Sequence, residues 1–554
     1  MNRFFERSRL IAAAGLAALL VLGACAAPKS GGTPATTGQT TKTAAPAATP
    51  TGPFGTVKFG LASFGLEQFD PTKGAANEGL IMDAPILDPL LTLKGTAAAP
   101  GVADSWELAA DGLSWVFRIR KGIKFHDGSD LTGKDVKFTI ERYSSKDAYQ
   151  VFLRNAVDNV VLVDDYTVRV NTKGPQPFLP LLMAYYYPAM GFVQPKDYID
   201  KNGIDYFKAN PVGSGPFKFV SHAQGDSLKF QAQDKHWRVV PKFKNLEILL
   251  IPEEATRIAG VKTGTLDVID VGLDGAAQME KDGLRTAKLA SAQVYSLLWG
   301  AYVPEASSMP LANIKVRQAL SLAINREEIA KNLFYGKTTP PLPSFIVEEA
   351  GQDYDLKYWQ DQGAKTYAKY DPQRAKALLA EAGYANGFSL TVWSYSMAGG
   401  GYFPKLIETL ASYWKAVGVK VDIFPTDLGS MQKVSNTLKF PTLRGLAGIM
   451  RVTGRPVAPQ ILSTYVTTTS MFALLGQQYP QVDTLVTKIF AETDSAKRKS
   501  MIAEVTQIVA DAYVGLPIGG VATVAGIGPA VEFPAETWVP ELSIYAERVG
   551  HRTK

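Results

Sequence analysis

Chemistry on a small molecule needs a nucleophile, a metal site or polar groups that can grip a ligand, and this sequence offers fragments of each. Ser430-Met431-Gln432-Lys433 fits S-x-x-K, in which a lysine assists attack by the serine, and Lys262-Thr263-Gly264 fits K-T-G, a second element of acyl-transfer serine enzymes. Such enzymes place the serine motif first. Here K-T-G precedes it, and Lys262 and Thr263 end a helix that Gly264 terminates. Short patterns of this kind arise by chance over 554 residues, so no catalytic residue is assigned. The four histidines, His126, His222, His236 and His551, show no i, i+4 pairing and no thiolate neighbour, so neither a metal nor a cofactor is expected. His126 reads as part of a hairpin turn, and His236, beside Trp237, as surface packing. "MAGGGYF" (Met397 to Phe403) sets glycines ahead of a helix, where backbone N–H groups could meet an anion. A phosphate loop would continue with Lys-Ser/Thr, which is missing, so the stretch reads as a strand-to-helix loop.

The single cysteine is Cys25, in "VLGACAAPKS". Before it stand Arg3, Arg7 and Arg9, then an apolar run from Leu10 to Leu22. A run of about 13 residues falls short of the roughly 20 that span a bilayer, and reads as the core of a removable signal peptide. Leu22-Gly23-Ala24-Cys25 resembles the bacterial lipobox, which implies cleavage before Cys25 and a lipid on its sulfur. Lys29 to Pro53 is Gly, Thr, Ala and Pro with hardly a large apolar side chain, so it cannot build a core and is expected to be a tether of roughly 30 Å. The body beyond has no cysteine for a disulfide, thiolate site or nucleophile. The net charge of +6 falls to +4 once the leader is removed, and with 20 % charged residues and no basic block, nucleic acid is excluded as a partner. At 46 % hydrophobic residues, the remainder is expected to be a soluble globular body of two to four domains.

These residues need positioning elements. "SWELAADGLSWVFRIRKGIKFHDGS" alternates, with Leu113, Trp115, Phe117 and Ile119 on one face and Asp-Gly pairs at the turns, which is the pattern of antiparallel hairpins. Leu246 to Ile251, Glu254 to Thr263 and Leu266 to Val271 read as strand, helix and strand. In "YDPQRAKALLAEAGY", Asp371 caps a helix, Pro372 fits its first turn and Gly383 its left-handed end. Phe388 to Trp393, Phe403 to Val417 and Val419 to Phe424 read as strand, helix and strand. The expected fold class is α/β, with a β-rich portion in the same chain.

"PGVADSWELAADGLSWVFRIRKGIKFHDGSDLTGKDVKFTIER" (Pro100 to Arg142) resembles the signature region of extracellular solute-binding proteins, family 5. "PVGSGPFKF", "RIAGVKTGTLDVID", "NIKVRQALSLAINREEI" and "YDPQRAKALLAEAGY" follow in the family's order. The resemblance implies a two-lobed periplasmic-binding-protein fold, type II-like, with a β-rich subdomain inserted in lobe I. It divides the chain into a signal peptide (1–24), lipid-attachment cysteine and tether (25–53), lobe I (54–79, 206–303 and 523–554), insert (80–205) and lobe II (304–522). "YSLLWGAYV" and "GLPIGGVATV" would cross between lobes. It implies a monomeric receptor, lipid-anchored to the cell envelope through Cys25. The receptor would carry a small or peptide-like solute to the ABC permease subunits, without chemistry.

The resemblance also places ligand contacts. Ala62-Ser63-Phe64 matches a family segment that lines the pocket, giving Ser63 and Phe64. Trp393, Tyr395 and Tyr402 flank the glycine loop at a strand end, where an α/β cleft collects ligand contacts. Core packing explains Trp393 equally well; Tyr395 and Tyr402 are expected to face the cleft. Peptide-binding members carry a tryptophan-containing stretch with an acid that pairs with the peptide amine. "AGIMRVTGRPVAPQIL" (Ala447 to Leu462) has neither, and offers Arg451 and Arg455, with Arg455 close to the acid's position, which implies an anionic solute or one lacking a free amine. The opposing reading sends both guanidinium groups to solvent or to lobe acids. Three alternatives stay open: an ordinary oligopeptide receptor, an envelope serine acyl-transfer hydrolase, and a structural surface lipoprotein.

Overall fold

The structure, a computed structural model, describes residues 52–552 except 66, 74–80, 96, 150–151, 185–189, 299–300, 302–306, 349–352, 397–398, 427–429, 431–445, 453–456, 469–474, 476–477, 535–537 and 540–542. The leader, Cys25 and nearly all of the tether therefore lie outside the described residues, as do Arg455 and Lys433.

Lobe I starts with strand β1 (Thr56–Leu61), whose alternate Val57, Phe59 and Leu61 are buried. The chain then enters the β-rich insert. Strands β2 (Ala103–Leu108) and β3 (Ser114–Ile119), helix α1 (Gly133–Ser144), and strands β4 (Val157–Asp164) and β5 (Thr167–Thr172) follow. The strands form an antiparallel sheet in the order β2-β3-β5-β4. Phe117 and Ile119 point into its core as the alternation requires, but Leu113 is 44 % exposed. It belongs to the turn, where Asp111 accepts its backbone N–H at 2.7 Å and Gly112 takes φ +67°. Helix α1 is closed at its start by Asp135, which accepts from Thr132 N at 2.9 Å, and it buries Val136, Ile140 and Tyr143 in the insert.

The return to lobe I brings the hairpin β6 (Phe217–Ala223) and β7 (Ser227–Ala232), then β8 (Asn245–Leu250), α2 (Glu254–Thr263), β9 (Val268–Val271), α3 (Leu273–Lys281) and the long β10 (Arg285–Leu298). Gly264 ends α2 at φ +74°. Lobe II includes α4 (Arg326–Asn332), α5 (Pro372–Glu381), β11 (Phe388–Ser394), α6 (Phe403–Ala416), β12 (Val419–Pro425) and β13 (Leu446–Val452); β14 (Gly515–Ile527) then runs back. Asp371 caps α5 by accepting from Arg374 N at 2.9 Å.

One sheet runs through both lobes in the order β12-β11-β13-β10-β14-β9-β1-β8-β7-β6, and Thr338–Thr339 adds to β14. Strands β10 and β14 are the shared centre. Val524 to Ile527 pair with β9 of lobe I, whereas Gln293 to Leu298 pair with β13 of lobe II. Between these halves the register breaks: Lys288 faces Val524 and Ser291 faces Ala522, so Leu289 and Ala290 stand opposite Thr523 alone. A bulge of this kind bends a strand and interrupts its ladder. It falls upstream of Tyr295, and Tyr295 to Leu298 pair with β13. On β14 the irregularity falls between Ala522 and Val524.

The insert has its own core, from Leu90 to Val193, and one fully buried residue of lobe II, Val457, completes it.

Candidate functional site

Beside the register break lies a cavity of about 480 Å³ whose wall is shared by Ser63 and Asp270 of lobe I, Thr523 of the crossing strand, and Leu333, Tyr402 and Lys405 of lobe II. Strand ends, a helix N-terminus and a bulge converge there, and a cavity closed by two rigid bodies can bury a small ligand on all sides.

The lobe I wall is built around Arg257 on α2. Its Nη1 donates to the carbonyls of Ile251 and Pro252 at 2.6 and 2.8 Å, and its Nε lies 2.9 Å from Asp270 Oδ1. Asp270 also accepts from Ala62 N at 3.1 Å, which fixes the chain just before Ser63. Burial pushes the Asp270 carboxyl up to about 6, against the opposing pull of Arg257. Glu254 accepts from Gly272 N at 2.7 Å, at the N-terminus of α3, where a carboxylate is favoured by the helix dipole.

The lobe II wall is built around Arg451, on β13. Its Nη2 donates to Thr523 Oγ1 at 3.3 Å, and its guanidinium lies against Gly399. A Cβ on Gly399 would stand 2.9 Å from Cζ and Nη1, and the residue has φ +68°. The glycine of "MAGGGYF" therefore makes room for a side chain. Tyr402 follows at the start of α6; its hydroxyl is buried and no described group hydrogen-bonds to it. Burial raises its pKa, and the nearby Arg451 charge works against that rise.

Of the residues expected at the site, Ser63 and Tyr402 line the cavity. Arg451 stands directly behind Gly399 and Thr523, which do line it. Phe64 is 1 % exposed and packs in the core of lobe I, because the side chain after Ser63 turns inward. Tyr395, expected to face the cleft, is 3 % exposed and donates to the carbonyl of Ile449 at 2.5 Å, so it braces β13 instead. Trp393 is half-buried against the lobe II core with its ring 5.7 Å from that of Phe424. Arg455 lies outside the described residues. Residue types alone did not reveal Arg257, Asp270, Thr523 or Lys405. The first two belong to "RIAGVKTGTLDVID", whose placement in the family order was the available signal. His236, read as surface packing, is buried, with Nε2 3.1 Å from Asp88.

A ligand-sized cavity walled by two α/β lobes that share two crossing strands defines a solute-capturing protein of the periplasmic-binding type. The model of bacterial extracellular solute-binding proteins, family 5 Middle, matches residues 97–448. The chain belongs to that family. It is 31 % identical over 421 residues to a glutathione-binding protein of Pectobacterium atrosepticum, covering 72 % of this chain and 76 % of that one. It is 26 % identical over 468 residues to heme-binding protein A of Haemophilus influenzae, covering 79 % and 81 %. A Pseudoalteromonas dipeptide-binding protein solved with Met-Leu shares the fold at a TM-score of 0.71 and 21 % identity, over 90 % of this chain and all of that one. These relatives are binding proteins rather than enzymes, and the chain is the solute-binding receptor of an ABC importer, working with a membrane permease. No helix among the described residues is long and apolar enough to cross a membrane.

Proposed function

We propose that this receptor is held to the cell envelope by a lipid on Cys25 and captures, as a monomer and without altering it, a small solute bearing an anionic group or lacking a free amine at the lobe II wall. The observation that carries the solute reading is Arg451. The resemblance puts Arg455 close to the position of a peptide receptor's acid, and the Arg451 guanidinium of the same stretch stands behind this wall, bonded to Thr523 and against Gly399. An ammonium group there would be repelled, and a carboxylate would gain charge-assisted hydrogen bonds. The names of similar proteins span glutathione, mannopinic and agropinic acids as well as dipeptides, oligopeptides and heme, so the choice among them rests on the site. Arg455 extends the same basic stretch, and Ser63 and Tyr402 supply hydroxyl groups to the cavity.

The test is a calorimetric screen of the purified receptor with glutathione, mannopinic acid, Met-Leu and heme. Mannopinic acid is expected to bind more tightly than Met-Leu, and Arg451→Ala to weaken it by about 1.5–3 kcal/mol. Best binding by an unmodified dipeptide, untouched by Arg451→Ala, would overturn the solute reading and leave the receptor in place.

A further inference from the structure

Helix α3 of lobe I carries Asp274 in its first turn and Glu280 in its last. Both are gripped from lobe II. Tyr335 donates its hydroxyl to Asp274 Oδ1 at 2.6 Å, Lys405 Nζ lies 3.1 Å from Asp274 Oδ2, and Lys337 Nζ reaches the two oxygens of Glu280 at 2.8 and 3.0 Å. Each bond joins one lobe to the other, and none uses a solute.

The lobe II partners come from one short turn and one helix. After α4, Tyr335 and Gly336 both take left-handed backbone, at φ +52° and +71°. The turn is pinned by Gly336 N on Ala330 O and Lys337 N on Phe334 O, each at 2.8 Å. A tyrosine is strained in this conformation where a glycine would not be. Its hydroxyl gives that strained residue a use, since it meets Asp274 only while the lobes are together.

We propose that the Tyr335–Gly336–Lys337 turn, with Lys405, is a latch that positions the two lobes and holds part of the ligand-free receptor closed, so that it sets solute affinity through the closed population. The Lys405–Asp274 pair is largely exposed, at 57 % and 63 %, and Lys337–Glu280 partly, at 19 % and 41 %, so each is weak and open to screening by salt. Together they are expected to raise the closed-to-open ratio about fivefold, and apparent affinity follows the population of the binding-competent state.

The experiment needs no solute, so its result does not depend on which solute the receptor carries. In a Cys25→Ser chain, fluorophores on Lys229→Cys in β7 and Lys376→Cys in α5 report lobe separation by energy transfer. Closed population is expected to fall as salt rises from about 0.02 to about 0.5 M. Tyr335→Phe and Lys405→Met are each expected to begin with a smaller closed population and to respond less to salt, while Lys405→Arg keeps the original behaviour. Equal closed populations in the parent, Tyr335→Phe and Lys405→Met proteins at low salt would overturn the latch.

Discussion

Arg238 and Asp88 form an ion pair in the protein interior, with Nη2 3.1 Å from Oδ1. The other oxygen of Asp88 accepts from Trp237 Nε1 at 2.7 Å and from Ser214 Oγ at 3.1 Å, and Arg238 also reaches Glu547 at 3.0 Å. The cluster ties the start of the insert to lobe I and to the C-terminal segment. Burial opposes ionisation of Asp88, but the His236 hydrogen bond and the Arg238 charge outweigh it and hold the carboxyl below its ordinary range. Asp88→Asn keeps the shape and leaves Arg238 without half its counter-charge. A loss of about 3–5 kcal/mol in denaturant unfolding is expected, and a loss below about 1 kcal/mol would contradict the role given to this pair.

The elements that the sequence revealed are those whose instructions are local. Asp371, Pro372 and Gly383 write a helix start and stop within one stretch, and that helix forms at Pro372–Glu381. The site was less legible because its residues act at a distance. Asp270 is held by Arg257 and by Ala62, which is more than two hundred positions away, and no spacing rule records such a bond. Tyr395 shows the opposite failure. Its polar, glycine-rich neighbours suggested exposure, but a tyrosine can bury its ring if its hydroxyl finds a carbonyl, and Ile449 provides one. The two arginines of "NIKVRQALSLAINREEI" are likewise internal: Arg317 donates to Ala512 O at 2.9 Å and Arg326 to Pro517 O at 2.5 Å, fastening lobe II helices to the approach and start of β14.

His126 gives the protein a particular acid response. Its ring lies between Gly213 N and Gly215 O, and burial lowers its pKa from 6.5 to about 4. Over that interval the unfolded chain binds the extra proton, so stability falls as pH drops from 6.5 towards 4, by up to about 3 kcal/mol. Asp270 acts with the opposite sign. Its carboxyl is raised from 3.8 to about 6, so the folded protein binds the extra proton there and regains stability as pH falls through that window. His126→Asn should therefore weaken the stability loss between about pH 6.5 and 4.5, measured as denaturant midpoints. An unchanged slope would show that another group carries it.

Cys25 can be tested without reference to the body. If it bears the lipid, Cys25→Ser should release folded receptor into the soluble fraction or leave the leader uncut, with the melting temperature of the body unchanged. Stable anchoring takes more than one acyl chain, so mass spectrometry of the native N-terminus should find several. Membrane retention of the serine variant at the native level would place the anchor elsewhere.

Gly399 is the position where backbone, charge and cavity meet. Its φ of +68° is strained for any L side chain, and an added Cβ would stand 2.9 Å from the Arg451 guanidinium. Gly399→Ala must therefore displace the loop, the arginine or both. The backbone conformation alone should cost about 1–2 kcal/mol of lobe II stability. The consequence for binding differs from that of Arg451→Ala, because the charge is still present but moved from Thr523, whose hydroxyl now orients it at 3.3 Å. Affinity for a carboxylate solute should fall about tenfold, a loss that corresponds to roughly one displaced charge-assisted hydrogen bond. Combining Gly399→Ala with Arg451→Ala should then cost little more than Arg451→Ala alone, since both changes act through one guanidinium. Additive losses in that double-mutant cycle would mean that Gly399 serves the cavity through its own backbone, and that Arg451 acts independently of it.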